Sequence, residues 1–129
     1  MAIAFNHTIV AARDRAESAA FFTEIFGLPD AAQFGPFLAV AIDHGASLDY
    51  AQVPPDAGIH PQHYAFLVSE PEFDEIYGRI RERGLKHWAD PHGQHEGEIN
   101  LNDGGRGVYF QDPSGHYLEI ITRPYGSSG

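Results

Sequence analysis

The chain repeats itself once. From His7 an aspartate, Asp14, stands seven residues on and Gly27-Leu28 closes the segment; from His63 a glutamate, Glu70, stands seven residues on and Gly84-Leu85 closes it. Self-similarity of this kind constrains a fold more than composition does, because each half must be a supersecondary unit with the same order of elements. Each half also ends in a related tripeptide, Leu48-Asp49-Tyr50 and Leu118-Glu119-Ile120. Two histidines and two carboxylates therefore occupy matching places.

Read in order, residues 2–11 form a strand with Phe5, His7 and Ile9 on one face. Asp14, followed three residues later by Glu17, starts a helix that runs to Phe26 and stops at Gly27. Its apolar stripe is expected to be Ala16, Ala19, Ala20, Phe22 and Phe26, widened by Phe21 and Ile25. Three short strands follow, at 31–34, 37–42 and 47–53. In the last of these Asp49 shares a face with Ser47 and Ala51, small neighbours that leave space above a carboxylate. The segment Pro54-Pro55-Asp56-Ala57-Gly58 continues neither strand nor helix and joins the halves.

The second half repeats the order, with a strand at 62–68 and then Ser69-Glu70-Pro71-Glu72, which has a capping serine, a first-turn proline and a glutamate three after the serine. Phe73, Ile76, Tyr77 and Ile80 give the helix its apolar stripe. A strand at 85–88 leads into the loop 90–97, which has two glycines, two histidines and no periodicity, and is expected to be mobile. Strands are expected near 98–101, at 108–111 and at 117–122, the last two joined by the turn Asp112-Pro113-Ser114-Gly115. In the final strand Tyr117, Glu119 and Ile121 share a face, so a buried face there forces Glu119 into an interior, where an ionised carboxylate needs a cation. Taken singly, Glu119 also reads as a surface carboxylate, His7 as a core or edge histidine and Asp49 as a solvated edge residue. Joint occurrence at repeat-related positions favours one metal site.

The 129 residues suffice for a single domain, residues 1–129, with modules 1–54 and 62–124, a linker at 55–61 and a flexible tail at 125–129. The absence of cysteine removes disulfides and thiolate ligands, so a metal must be held by imidazole and carboxylate. A formal charge of −10 argues against nucleic acid and anionic membranes as partners. No apolar run reaches membrane-spanning length and the N-terminus lacks a signal-peptide pattern, so a soluble, cytoplasmic protein is expected.

Strand, helix and three strands, twice over, resembles the vicinal oxygen chelate superfamily, which includes glyoxalase I, extradiol dioxygenases, fosfomycin-resistance proteins and bleomycin-binding proteins. The resemblance rests on His7 with Arg13-Asp14, on Phe22-Phe26-Gly27-Leu28, on His63-Tyr64-Ala65-Phe66, and above all on Tyr109-Phe110-Gln111-Asp112-Pro113-Ser114-Gly115 with Leu118-Glu119. It implies an α+β fold in which two βαβββ modules form a half-open curved β-barrel with the helices outside. It also implies a homodimer, and one divalent metal at the positions of His7, Asp49, His63 and Glu119. Four-ligand members of the family usually carry Glu where this chain has Asp49.

Two imidazoles and a carboxylate with open positions suit Fe(II), which is favoured here, and also Mn, Ni or Zn, leaving room for a small-molecule substrate to chelate through neighbouring oxygens. Three function classes follow. The first is an extradiol-dioxygenase-like enzyme, in which Tyr109, ten residues before Glu119, matches a tyrosine near the iron of that family. The second is a glyoxalase-like isomerase or lyase, with Glu119 or Asp49 as base and Arg13 and Arg106 as candidate anchors for an anionic thiol. The third is a metal-free drug- or metabolite-binding protein. His92 and His95, on the loop expected to be mobile, read either as solvated residues or as a general acid or base.

Overall fold

A computed structural model describes residues 3–127, so the start of the first expected strand at Ala2 and the last two residues of the expected tail lie outside the described residues. The chain divides into two compact units, residues 1–60 and 61–129.

In the first unit, strand β1 (His7–Ala12) leads into helix α1 (Arg15–Phe26), then β2 (Ala32–Phe34), β3 (Phe37–Ala41) and β4 (Ser47–Gln52). Asp14 caps α1 by accepting from the backbone N–H of Ala16 at 3.0 Å and of Glu17 at 3.1 Å, and Gly27 ends it in the left-handed region at φ 70°. The side chain of Gln52 accepts from the Arg15 N–H at 3.0 Å and donates to the Arg13 carbonyl, tying the helix start to the end of β4. The sheet runs β1-β4-β3-β2, with β1 parallel to β4 and the other pairs antiparallel. The buried face of α1 differs from the expected stripe: it is Ser18, Ala19, Phe22, Thr23 and Ile25, while Ala16 and Ala20 are exposed and Phe21 and Phe26 half-buried. Thr23 satisfies its hydroxyl on the Ala20 carbonyl at 3.2 Å, so it sits in the buried face without an orphan donor.

In the second unit, β5 (His63–Leu67) is followed by helix α2 (Glu70–Glu82), then β6 (His87–Trp88), β7 (Gly107–Gln111) and β8 (Tyr117–Ile121). The sheet runs β5-β8-β7-β6, again with one parallel pair, β5 with β8. Ser69 and Glu72 form a full capping box at the start of α2. Phe73, Ile76 and Ile80 are buried, as are Val108, Phe110, Leu118 and Ile120, each contributing roughly 1.5–3 kcal/mol through its buried side chain. The strand expected near 98–101 does not form. Asn100 makes an isolated bridge to Gly107, and a 3-10 turn over Asn102–Gly104 follows, with Asp103 at φ 58°. Three strands therefore follow the helix in each unit, and the fold is α+β with two βαβββ modules.

Candidate functional site

The two sheets place their carboxylates at equivalent positions. Asp49 lies opposite Ile9, two residues after His7, and Glu119 lies opposite Ala65, two residues after His63. On the antiparallel side Asp49 faces Ala39 and Glu119 faces Tyr109, so the second unit carries a phenol where the first has only a methyl.

Glu119 is 1 % exposed. Its Oε1 lies 2.8 Å from His63 Nε2, and its Oε2 accepts from the Tyr125 hydroxyl. Tyr109 presents its ring edge-on to His63, with centroids 5.7 Å apart, and its hydroxyl lies 3.0 Å from that of Tyr125. Burial pushes the Tyr109 phenol above its usual range, and the Glu119 charge adds to the shift; Tyr125, exposed over most of its ring, is raised by desolvation of its hydroxyl first and then by its hydrogen bond to Glu119. Both phenols thus remain protonated donors. Tyr125 falls within the stretch expected to be a tail, and its role was missed. A tyrosine six residues beyond the strand's carboxylate, followed by Gly126, is the only signal that could have drawn attention to it.

In the first unit Asp49 is buried and its Oδ1 accepts from the Ser47 hydroxyl at 2.8 Å. Ser47 therefore does more than leave room: it orients the carboxylate. His7 is exposed, and its Nδ1 lies 2.6 Å from Asn6 Oδ1, an arrangement in which Nδ1–H donates and Nε2 stands outside that bond. Among the described residues, no group of three or more imidazoles and carboxylates is assembled as a ready metal cage. What the structure brings together is His63 with Glu119. A nearly fully buried carboxylate beside an imidazole nitrogen, with a phenol orienting its second oxygen, fits a divalent ion by donor chemistry.

Beside Tyr109 a cavity of about 450 Å³ is lined in part by Trp88, Asp90, His92, Gln111 and Tyr117. A larger depression, about 600 Å³, follows the solvent face of α2 and holds none of the candidate residues. The 90–97 loop is more organised than its composition suggests: Asp90 accepts backbone N–H groups of His92, Gln94 and His95 at 2.8–3.1 Å. Desolvation pushes the Asp90 carboxyl up, but these donors outweigh it and hold the carboxyl below the usual range. His92 thereby lines the cavity, whereas His95 Nδ1 turns to Glu98 at 3.8 Å. Arg106, a candidate anion anchor, is engaged by Glu70 and Asp74, each at 2.8 Å, and lies over the Phe73 ring. It braces the start of β7 against α2. The Arg13 carbonyl accepts from Gln52.

The model of the family described as Glyoxalase/Bleomycin resistance protein/Dioxygenase superfamily matches residues 4–120. Glutathione transferase FosA of Serratia marcescens is 31% identical over 122 residues, which span 89% of this chain and 77% of that protein. Among solved structures, the chain is similar to the oxidase ChaP-H2, with 60% identity, 100% of both chains covered and a TM-score of 0.95. It is also similar to the oxidase ChaP-H1, with 59% identity, 97% of this chain and 99% of that one covered, and a TM-score of 0.93. Among the described residues no helix is long and apolar enough to cross a membrane.

Proposed function

The chain belongs to the glyoxalase/bleomycin resistance protein/dioxygenase superfamily, and we propose that it is a divalent-metal-dependent enzyme that oxidises a small molecule bound through two neighbouring oxygens. The observation that carries this reading is the buried Glu119 carboxylate with His63 Nε2 at 2.8 Å. Burying a carboxylate is costly unless positive charge compensates it, and an ion held by Glu119 and His63 would supply that charge. His7, His63 and Glu119 are the proposed protein ligands, with Asp49 as the fourth, direct or through water. Fe(II) is the favoured ion, since two imidazoles and one carboxylate with open positions suit iron that meets dioxygen. Similarity to two oxidases over nearly the whole chain supports the oxidative reaction over the transferase chemistry of the FosA relative.

When bound, the ion supplies Lewis acidity to the chelated oxygens of the substrate. The chain's own residues do the rest. Glu119 and His63 fix where the substrate oxygens arrive, and Tyr109, facing Glu119 across the sheet with its ring edge-on to His63, flanks that position. His92, on the cavity wall, is the proposed group for exchanging a proton with bound substrate. The engagement of Arg106 in the α2 brace weakens the case for a thiol anion held there. A homodimer is assigned with this function, supported by the exposed apolar residues Ile9 on β1 and Leu67 on β5, both sheet-edge strands.

Metal analysis of protein purified without chelator tests the reading. Iron at matched stoichiometry, with dioxygen uptake on a catechol-type substrate, is the expected result. Nickel or zinc without dioxygen uptake would move the protein to the isomerase class, and no metal would make it a binding protein. Glu119→Ala is expected to abolish stoichiometric binding in a folded protein. Asp49→Ala should weaken it less, because Asp49 Oδ1 already has the Ser47 hydroxyl as a partner.

A further inference from the structure

Two facts about Tyr125 do not follow from the proposed ligand set. Its ring is largely exposed, as for a residue near a chain end, yet its hydroxyl reaches the buried Oε2 of Glu119. Its backbone is also anchored: Gly126 N–H donates to Asp103 Oδ1 at 3.0 Å, Ser127 N–H donates to the Pro124 carbonyl at 3.1 Å, and the Arg123 guanidinium donates to the Ser127 carbonyl at 3.1 Å. Asp103 itself sits in the left-handed region within the 3-10 turn at 102–104, so one turn serves as a fixed post for the other.

The protons can be placed. A phenol has one O–H, and that of Tyr125 goes to Glu119, which as a carboxylate only accepts. The 3.0 Å contact between the two tyrosine oxygens must then have Tyr109 as donor and Tyr125 as acceptor. The result is a directed chain from Tyr109 through Tyr125 to Glu119 Oε2, which leaves Oε1 as the oxygen beside His63 Nε2. The terminal torsion of a glutamate is broad, so without a partner on Oε2 the carboxylate plane would be loosely set.

We infer that Tyr125 is a positioning residue for Glu119: by occupying Oε2 it presents the carboxylate to the ion through Oε1 alone, and it makes the C-terminal turn part of the metal site. This rests on the metal-dependent reading above. Hydrogen-bonding partners of metal-ligating groups orient those groups and tune affinity, and losing one typically weakens binding by roughly 10–100-fold.

The test uses the full chain stripped of metal and titrated with Co(II), followed by calorimetry and by the visible absorption of the bound ion. Tyr125→Phe removes one oxygen and keeps the ring. It is expected to raise the Co(II) dissociation constant by roughly 10–100-fold and to alter the absorption intensity, as the carboxylate becomes free to offer both oxygens. Tyr109→Phe, which leaves the Tyr125–Glu119 bond in place, should cause a smaller change in both readouts. A purely structural role for Tyr125 would lower the melting temperature of the metal-stripped protein and leave the Co(II) spectrum alone. The inference is overturned if the parent binds Co(II) and Tyr125→Phe matches its affinity and spectrum, or binds more tightly. A parent that takes up no Co(II) would overturn the metal-dependent reading itself, and this inference with it.

Discussion

Asp112 carries a buried oxygen, Oδ2, without a hydrogen-bond partner, while its Oδ1 accepts from the backbone N–H of Ser114 and of His116, both at 2.9 Å. Burial raises its carboxyl above the ordinary range, against the downward pull of the His116 N–H and imidazole. Because the folded-state value exceeds the unfolded one, near 3.9, the fold takes up the proton more readily than the unfolded chain does. Its contribution to stability therefore grows as pH falls through the folded value and is absent above it. Asp112→Asn keeps the Oδ1 acceptor without the charge, so at pH 7 it should be at least as stable as the parent and lose that pH dependence. Asp112→Ala should lose roughly 1–3 kcal/mol by stranding two backbone donors. Urea midpoints between pH 4 and 7 check this, and equal losses in both variants would refute it. The turn was legible because proline, aspartate and glycine carry distinct backbone signals. The Oδ2 orphan was not, since burial of a single atom depends on neighbours such as His116, whose Nδ1 accepts from the Gln62 N–H of a distant segment.

Helix starts were read correctly from Asp14 and from Ser69 with Glu72, because capping is a local hydrogen-bond problem that four consecutive residues solve. The face of α1 was not, because alanine is equally at home inside and outside and six aromatic or alanine positions fit more than one stripe. The strand expected near 98–101 failed for a different reason. Asn100 spends its side chain on local contacts, donating to the Ala89 carbonyl at 2.8 Å and accepting from the Asn102 N–H at 3.2 Å, so the backbone turns away after one bridge. Gly107 is what allows this: a Cβ there would lie 2.9 Å from Asn100 Oδ1 and 3.0 Å from its Nδ2. Gly107→Ala should therefore displace the Asn100 side chain, free the Ala89 carbonyl and lower stability by roughly 1–3 kcal/mol. Amide exchange in the adjoining Asp90 loop should quicken, and unchanged exchange there would show that Asn100 does not brace it.

At the scale of the whole molecule, the repeat raises a question that neither half answers alone. Each unit has a histidine on its edge strand and a carboxylate on the neighbouring strand in the same register, His7 with Asp49 and His63 with Glu119. If each unit bound an ion by itself, the chain would hold two. The halves have diverged in a way that argues otherwise: Ala39 stands where Tyr109 stands, Asp49 is the shorter acid with Ser47 on one oxygen, and Glu119 is linked to two phenols. Each unit offers one imidazole and one carboxylate, and two donors hold a divalent ion poorly where three or four hold it well. On the proposed ligand set, the expected stoichiometry is therefore one ion per chain. Titration of metal-stripped protein gives the count, and two substitutions give the source. His7→Ala, in the first unit, and Glu119→Ala, in the second, should each weaken the same single binding event, and the double variant should lose little beyond the Glu119 change, as for groups acting as one unit. Two ions per chain in the parent, with each substitution removing its own, would show that the units bind independently and that the repeat marks two sites.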